Sequence, residues 1–387
     1  MKNRSDLHIL VIATWYPHGK DKLIGIYHKH FCQALAKTGV KVNMLHVDRQ
    51  AISLAFKYPF MKKAYEEACE GYTTYFQRML NVSRISFDLQ VKLYTKRLEK
   101  LYYRYEKIHG KPDVLHAQVT VPAGYAACVL AKKLGIPVVI TEHATYFQRF
   151  MSGKEGKYAK YALENTAALT CVGKFMQEIY SKEYGLTAQL LPNIVNCAGY
   201  RLPRKERGPV LRFTSVCALR DSKRIDFAVQ ALKTLRDKNA IPQFQYTVVG
   251  DGYYAEQFKA ATRQMQMDDC VSFVGQKNTE EIAQILADTD ILLVASDVET
   301  FCIPAVEGLA AGVPVVSTKC GGPEDFLTPE CSELCEVDDP ASMADAILRL
   351  VNRLDSLDED EIRQTAMQFD GEAVAEKAIS IYESILK

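Results

Sequence analysis

ILLVASDVETFCIPAVEGLAAGVPVVST, residues 291–318, opens on a run of branched apolar residues that is too short for a helix and stops at a polar loop. Such a run, Ile291–Ala295, reads as a buried strand. Asp297 to Cys302 forms the loop, and a helix begins near Ile303. Pro304 fits the first helical turn, where its missing N–H removes no bond. Gly312 and Pro314 end the helix, and Val315–Thr318 is a second buried strand. Strand, helix and strand in that order are a β-α-β unit, the building block of a parallel sheet.

The same alternation extends outward. Upstream lie strand Leu211–Val216, helix Phe227–Arg236, strand Gln245–Val249 closed by Gly250-Asp251-Gly252, strand Val271–Val274 and helix Glu280–Ala287. Nearer the start are strand Leu7–Ala13, a helix opened by Gly25 and ended by Gly39, and strand Val40–Val47. Val114–Ala117, Val138–Thr141, Ala168–Val172 and Gln189–Leu191 read as further strands, with helix Ala123–Leu134 among them. The polar, proline-bearing stretch Arg201–Pro209 reads as a linker. At 387 residues the chain exceeds one ordinary core. Two doubly wound α/β domains are expected, residues 1–200 and 201–370, followed by a helix over 371–387. In such sheets ligands sit at the carboxyl ends of strands, and two facing halves put a ligand in the cleft between them.

One stretch departs from the alternation. Residues 51–110 read as a basic helical insert, with eleven Lys/Arg against six Asp/Glu over 51–109. Phe56-Lys57-Tyr58-Pro59-Phe60-Met61-Lys62-Lys63 joins aromatic and basic side chains in one window. A solvated helical face accounts for it, and so does a surface touching anionic lipid headgroups. The whole chain carries a formal net charge of only +1, which argues against a nucleic-acid binder. No run approaches the length of a transmembrane helix, and Leu7–Ala13 lacks the flanks of a signal peptide. The expected location is cytoplasmic, with peripheral attachment to the inner membrane face resting on the basic stretch. The eleven cysteines are scattered, several inside apolar runs, as buried free thiols in a reducing compartment are. Cys331-x-x-x-Cys335 has no second ligand pair for zinc. His28-x-His30 reads as surface or cleft-edge histidines.

The free N–H groups around Phe301, Cys302 and Ile303 form an anion site at a helix start, suited to a diphosphate. Glu307 falls one turn deeper on the same face. A carboxylate there can accept two hydrogen bonds from a ribose diol. Glu299 lies ahead of the helix, at the edge of the sheet. On spacing alone, a surface helical Glu307 and a loop Glu299 account for the pattern equally well. Lys223 follows the strand Leu211–Val216 and can meet phosphate oxygens as a point charge. A solvated basic loop is the plain alternative. His143 follows Val138–Thr141 at a carboxyl edge, where a structural histidine is the plain alternative.

Taken together these residues resemble glycosyltransferase family four, retaining enzymes of the GT-B fold with two Rossmann-like domains. Gly25-Ile26-Tyr27 is similar to the family's glycine loop near the donor phosphates. Pro112-Asp113-Val114-Leu115-His116-Ala117-Gln118 resembles its P-D-[IV]-[IVL]-H-x-H strand, with Gln118 where His is usual. Thr141-Glu142-His143, Leu191-Pro192-Asn193, Gly250-Asp251-Gly252 and Phe273-Val274-Gly275 match further motifs in order. Glu299 and Glu307 match the E-x7-E pair, and Gly312-Val313-Pro314-Val315-Val316 the segment after it. Two departures stand out. The family's G-R-L-x-x-x-K is Cys217-Ala218-Leu219 with Lys223 retained, so Ala218 stands at the phosphate-binding arginine, with Arg220 or Arg224 as partial replacements. The family's E-G-F-G is Glu299-Thr300-Phe301-Cys302, without its glycines.

The resemblance implies transfer of a sugar from a UDP- or GDP-sugar to a glycan or lipid-linked glycan, in cell-surface polysaccharide synthesis. It implies a hexosyltransferase-type enzyme with front-face attack assisted by the leaving phosphate, without a protein nucleophile. No cofactor and no obligatory metal are expected. His143 and Glu299 are the expected catalytic contacts. Gly25, Lys223, Gly250, Phe301, Cys302, Ile303 and Glu307 are the expected donor contacts, and the last helix is expected to cross back to the first domain. The alternatives are a degraded sugar-binding relative, motivated by Ala218, and a sugar-nucleotide epimerase on the same fold.

Overall fold

Strand β1 (His8–Ala13) is buried along its whole length, so layers cover both faces of the first sheet. The computed structural model describes residues 4–17, 24–51, 64–145 and 147–387. After β1 come α1 (Ile26–Lys37), β2 (Lys41–Gln50), β3 (Ala64–Cys69), β4 (Tyr72–Leu80), α2 (Phe87–His109) and β5 (Val114–Gln118). Next are α3 (Tyr125–Leu134), β6 (Val138–Glu142), α4 (Gln148–Ser152), α5 (Gly156–Glu164), β7 (Ala168–Cys171), α6 (Lys174–Tyr184) and β8 (Gln189–Leu190). The sheet order is β3-β4-β2-β1-β5-β6-β7-β8. All pairings are parallel except β3 with β4. The strand order reverses between β1 and β5, so the carboxyl ends of β1, β5 and β6 border the crevice where such sheets take ligands.

The helical reading of residues 51–110 is corrected. Only α2 is helical among its described residues; Ala64–Cys69 and Tyr72–Leu80 pair as an antiparallel hairpin. The aromatic and β-branched run Tyr72-Thr73-Thr74-Tyr75-Phe76 favours a strand, and the Lys/Arg/Tyr periodicity belongs to α2 alone. Phe56 to Lys63 lies outside the described residues. His28 is also corrected: it is fully buried, because it joins Phe31, Cys32 and Leu35 in the inward stripe of α1.

A second sheet follows. Its elements are β9 (Leu211–Val216), α7 (Ile225–Asp237), β10 (Phe244–Val249), α8 (Ala255–Gln264), β11 (Val271–Gly275), α9 (Thr279–Ala287) and β12 (Ile291–Val294). Then come α10 (Ile303–Ala310), β13 (Val315–Thr318), β14 (Ser332–Cys335), α11 (Pro340–Arg353), α12 (Glu359–Ala366) and α13 (Gly371–Ile385). The order is β11-β10-β9-β12-β13-β14, all parallel. Its reversal falls between β9 and β12, so the loops leaving those strands border one crevice.

The chain divides into two compact units, Met1–Ile194 with Gly371–Lys387, and Val195–Asp370. The Arg201–Pro209 stretch packs on the second unit: the Arg204 guanidinium donates to the carbonyls of Gly312 and Thr289. Helix α13 belongs to the first unit, where Val374, Ala378, Ile381 and Tyr382 join Phe31 and Leu35 in one core. Among the described residues, no helix is long and apolar enough to cross a membrane.

Candidate functional site

In the second unit, β9 runs into a short 3-10 turn, Asp221–Lys223, and β12 runs into the loop that starts α10. These two loops meet. The Lys223 ammonium contacts Glu299 Oε1, and Ser296 Oγ donates to the same oxygen at 2.8 Å. Glu299 Oε2 accepts from none of the described residues. Burial disfavours the Lys223 charge, but the Glu299 carboxylate outweighs burial and holds the lysine above its ordinary pKa. Lys223 is therefore a fixed cation, and with three N–H donors it can keep Glu299 and reach a second anion.

Glycines hold this loop in place. A Cβ on Gly250 would lie 1.8 Å from the Cys217 carbonyl oxygen, and one on Gly252 would lie 2.3 Å from that of Leu219. The turn after β10 thus rests directly on the backbone that leads to Lys223. The Gly250 N–H is used by the Gly275 carbonyl at 2.9 Å, so Gly250 serves by its lack of a side chain rather than as a donor.

Cys302 caps α10 with φ 73 and ψ 73, a left-handed conformation that glycine adopts freely and cysteine does not. The family glycine at this position has a geometric reason, and here cysteine takes the strained place. The Phe301 side chain turns away into an aromatic cluster with Phe326 and Phe369, at ring-centroid distances of 5.8 and 5.1 Å. Only its backbone is left for a ligand. Among the described residues no carbonyl accepts from the N–H groups of Phe301, Cys302 and Ile303, and the α10 dipole adds positive potential there.

Glu307 is half-buried on α10, and the buried Tyr200 hydroxyl donates to its Oε1 at 2.5 Å. Burial pushes the Glu307 carboxyl up to about 7, against the opposing pull of the Tyr200 hydrogen bond. Neither proposed replacement for the missing arginine is an equal substitute. Arg224 is engaged by Asp226, Asp297 and Asp338 and lies over the Phe227 ring. Arg220 is exposed, with no acid partner among the described residues, and Ala218 is exposed as well.

In the first unit, His143 lies just past β6. Its backbone is pinned by the buried Glu142, whose carboxylate accepts from the N–H groups of Thr120, His143 and Ala144 at 2.8–2.9 Å. The ring places Nδ1 2.9 Å from Asn193 Oδ1 and Nε2 2.6 Å from Gln118 Oε1. Burial lowers its pKa to about 3, so the ring is neutral and has one N–H. A neutral ring has one N–H for these two amides, so one of them presents its NH2 to the ring. Thr170 Oγ1 donates to the Ile140 carbonyl, so Thr141 Oγ1 donates to Thr170 and accepts from His116 Nε2. His116 Nδ1 then accepts from the Tyr382 hydroxyl. The Gln118 amide bridges the two histidines, 3.4 Å from His116 Nε2 and 2.6 Å from His143 Nε2.

Gly25, with φ 68, starts α1 so close to Trp15 that a Cβ would lie 2.7 Å from its carbonyl oxygen. Tyr27, two residues on, lies 4.8 Å from His143 between ring centroids. Tyr27, Gln118, Thr141, His143 and Asn193 line one pocket. The structure thus brings Lys223, Glu299 and the α10 start together in one unit, with Glu307 one turn below; in the other, Tyr27 rather than Gly25 lies against His143. Sequence reading missed Tyr200, Ser296 and Glu142. Only Glu142 had a local signal, as a carboxylate between a buried strand and His143.

Two family models match the chain, one described as glycosyl transferases group 1 over residues 204–365 and one as glycosyltransferase family 4 over residues 24–198. The chain belongs to glycosyltransferase family four. It is 25% identical over 255 residues to the uncharacterized glycosyltransferase MJ1178 of Methanocaldococcus jannaschii, covering 65% of this chain and 68% of that one. It is 33% identical over 147 residues to the amylovoran biosynthesis glycosyltransferase AmsK of Erwinia amylovora, a match spanning 36% of each. Among solved structures it resembles Anabaena HepE in complex with UDP, with a TM-score of 0.72 at 14% identity, covering 98% of this chain and 100% of that one. That likeness is one of fold, and the fold is GT-B.

Proposed function

We propose that this family-four glycosyltransferase moves a hexose from a UDP- or GDP-sugar to a glycan or lipid-linked glycan, with retention, in cell-surface polysaccharide synthesis. The observation that carries the reading is the Lys223–Glu299 pair at the switch point of the second sheet, beside the N–H groups that start α10 and have no carbonyl acceptor among the described residues. A fixed cation and a helix start suit a departing diphosphate, whose negative charge grows as the bond from sugar C1 to phosphate oxygen breaks. The acceptor oxygen forms its bond to C1 on the same face, and its proton passes to the leaving phosphate oxygen. In this reading Glu299 Oε2 accepts from a sugar hydroxyl, and Glu307 from the ribose diol. From the first unit, His143 is the candidate contact for the transferred sugar or the acceptor oxygen. With Lys223 and backbone N–H groups meeting the diphosphate, the reading calls for no obligatory metal. UDP bound to HepE and the amylovoran role in the name of AmsK support the donor and acceptor classes. A cytoplasmic site of action, peripheral to the inner membrane face, fits such acceptors.

Thermal-shift screening across UDP- and GDP-sugars, followed by turnover assays with EDTA present, tests this. One donor is expected to raise the melting temperature and to release nucleotide slowly, and Glu307→Ala to abolish the shift. If no donor binds and Glu307→Ala is silent, the reading fails. The engaged Arg224 and the uncharged Ala218 favour one second reading, a binding protein that has lost transfer. Acceptor-dependent nucleotide release excludes it.

A further inference from the structure

The loop that leaves β9 carries the cations Arg220, Lys223 and Arg224, and the last two are already balanced by acids. Lys223 is paired with Glu299, and Arg224 is held by Asp226, Asp297 and Asp338. Arg220 is exposed and has no acid partner among the described residues. Its backbone is fixed all the same. Arg220 caps the Asp221–Lys223 turn in an extended conformation, and its carbonyl accepts from the Lys223 N–H at 3.0 Å. Just before it, the Leu219 N–H donates to the Asp251 carbonyl at 3.0 Å, and the Leu219 carbonyl accepts from the Tyr254 N–H at 3.1 Å. Leu219 is buried, whereas its neighbours Ala218 and Arg220 are both exposed. Successive side chains of an extended chain point to opposite faces. Arg220 therefore leaves the loop on the same face as Ala218, about 7 Å further along.

We propose that the Arg220 guanidinium meets the donor diphosphate from the face it shares with Ala218, and supplies the charge that the Lys223–Glu299 pair does not. The inference rests on the transfer reading and adds a residue to it. A departing diphosphate carries more than one negative charge. Lys223 brings one positive charge, which Glu299 cancels, and the start of α10 contributes about half a charge. Arg224 can turn to a ligand only by leaving its carboxylates and the face of the Phe227 ring. Arg220 breaks no ion pair to bind. Its planar fork of N–H donors can hold two phosphate oxygens at once, which the Lys223 ammonium cannot. Charge grows on the leaving phosphate as the bond to the sugar breaks, so the contact strengthens toward the transition state. Arg220 thus acts on kcat as well as on affinity.

Titration calorimetry of the full chain with UDP, GDP and their nucleosides, together with donor turnover, tests this. The unaltered chain is expected to bind one of the two diphosphates. If it binds neither and turns over no donor, the transfer reading falls and this inference with it. With that arm positive, R220A is expected to keep the melting temperature of the ligand-free chain and its affinity for the nucleoside. It is expected to lose about tenfold to a hundredfold in affinity for the diphosphate and in kcat/KM for the donor, with kcat itself lowered. R220K keeps the charge but not the fork, and is expected to fall between the two. In A218R/R220A a guanidinium returns to the same face, and most of the loss is expected to be recovered. Three results overturn the proposal while the transfer reading stands: unchanged diphosphate affinity and turnover in R220A, an equal loss of affinity for the nucleoside, or a double variant no better than R220A.

Discussion

Glu307 shows how one tyrosine changes what a carboxylate can do. Its pKa stands at about 7 against an ordinary 4.5, because burial disfavours the charged form while Tyr200 supports it. The sign for stability follows: a carboxyl raised in the folded state stabilises the fold below its ordinary pKa, and that contribution is lost as pH rises through about 7. Donor binding runs the other way, since ribose hydroxyls need a carboxylate that accepts. Donor affinity is therefore expected to increase as pH passes 7. Tyr200→Phe removes the group that favours the charged form, so the acid limb of kcat/KM is expected to move to higher pH. The lost hydrogen bond to a charged group is worth about 1.5 kcal/mol or more, roughly tenfold in donor KM at neutral pH. A pH profile of both proteins checks this, and an unmoved acid limb would mean that Tyr200 is merely packed beside Glu307. Glu307 itself was legible in the sequence from its spacing to Ile303. Tyr200 was not, because it is a hundred residues away and no local pattern ties the two together. Position 302 combines both cases: the missing glycine was visible, but that cysteine takes φ 73 there is known only from the backbone.

Among the elements, the loops of the second sheet show what the alternation of strands and helices could and could not give. The strands β9, β10 and β12 were legible from buried apolar runs, and parallel order put their outgoing loops on one edge. That the turn after β10 supports the loop after β9 was not legible, since it depends on the close approach of two backbones. Gly252 tests that contact cleanly because its φ is not in the left-handed range, leaving sterics alone to decide. Gly252→Ala must push back the Leu219 carbonyl and with it the turn that carries Lys223. Overpacking of this kind costs about 1–3 kcal/mol. The variant is expected to unfold at correspondingly lower urea and to lose donor turnover by more than its lost stability explains. Full turnover under conditions where the variant is folded would show that the Lys223 loop does not depend on this support. The hairpin of β3 and β4 marks the opposite failure, where basic helical periodicity in α2 was carried too far back along the chain.

For the molecule as a whole, the first unit is completed by the end of the chain. The final apolar stripe was legible as a helix, but sequence periodicity could not say which core it fills. In the structure Val374, Ile379, Ile381 and Tyr382 are buried in the first core, and the Tyr382 hydroxyl closes the hydrogen-bond chain that runs through His116 and Gln118 to His143. Burying four such side chains contributes about 1.5–3 kcal/mol each, comparable with the whole stability of an ordinary domain. A chain ending at Asp370 therefore loses most of what holds the first unit, whereas the contacts inside residues 195–370 are untouched. Thermal unfolding of that truncated chain is expected to show the first unit already disordered or melting at least 10 °C earlier, with the second unit's transition kept. Limited proteolysis should then cut within residues 1–194 and spare the fragment that follows. If both chains melt alike, α13 is an accessory to the first core and the His116–Tyr382 contact does not help to hold His143.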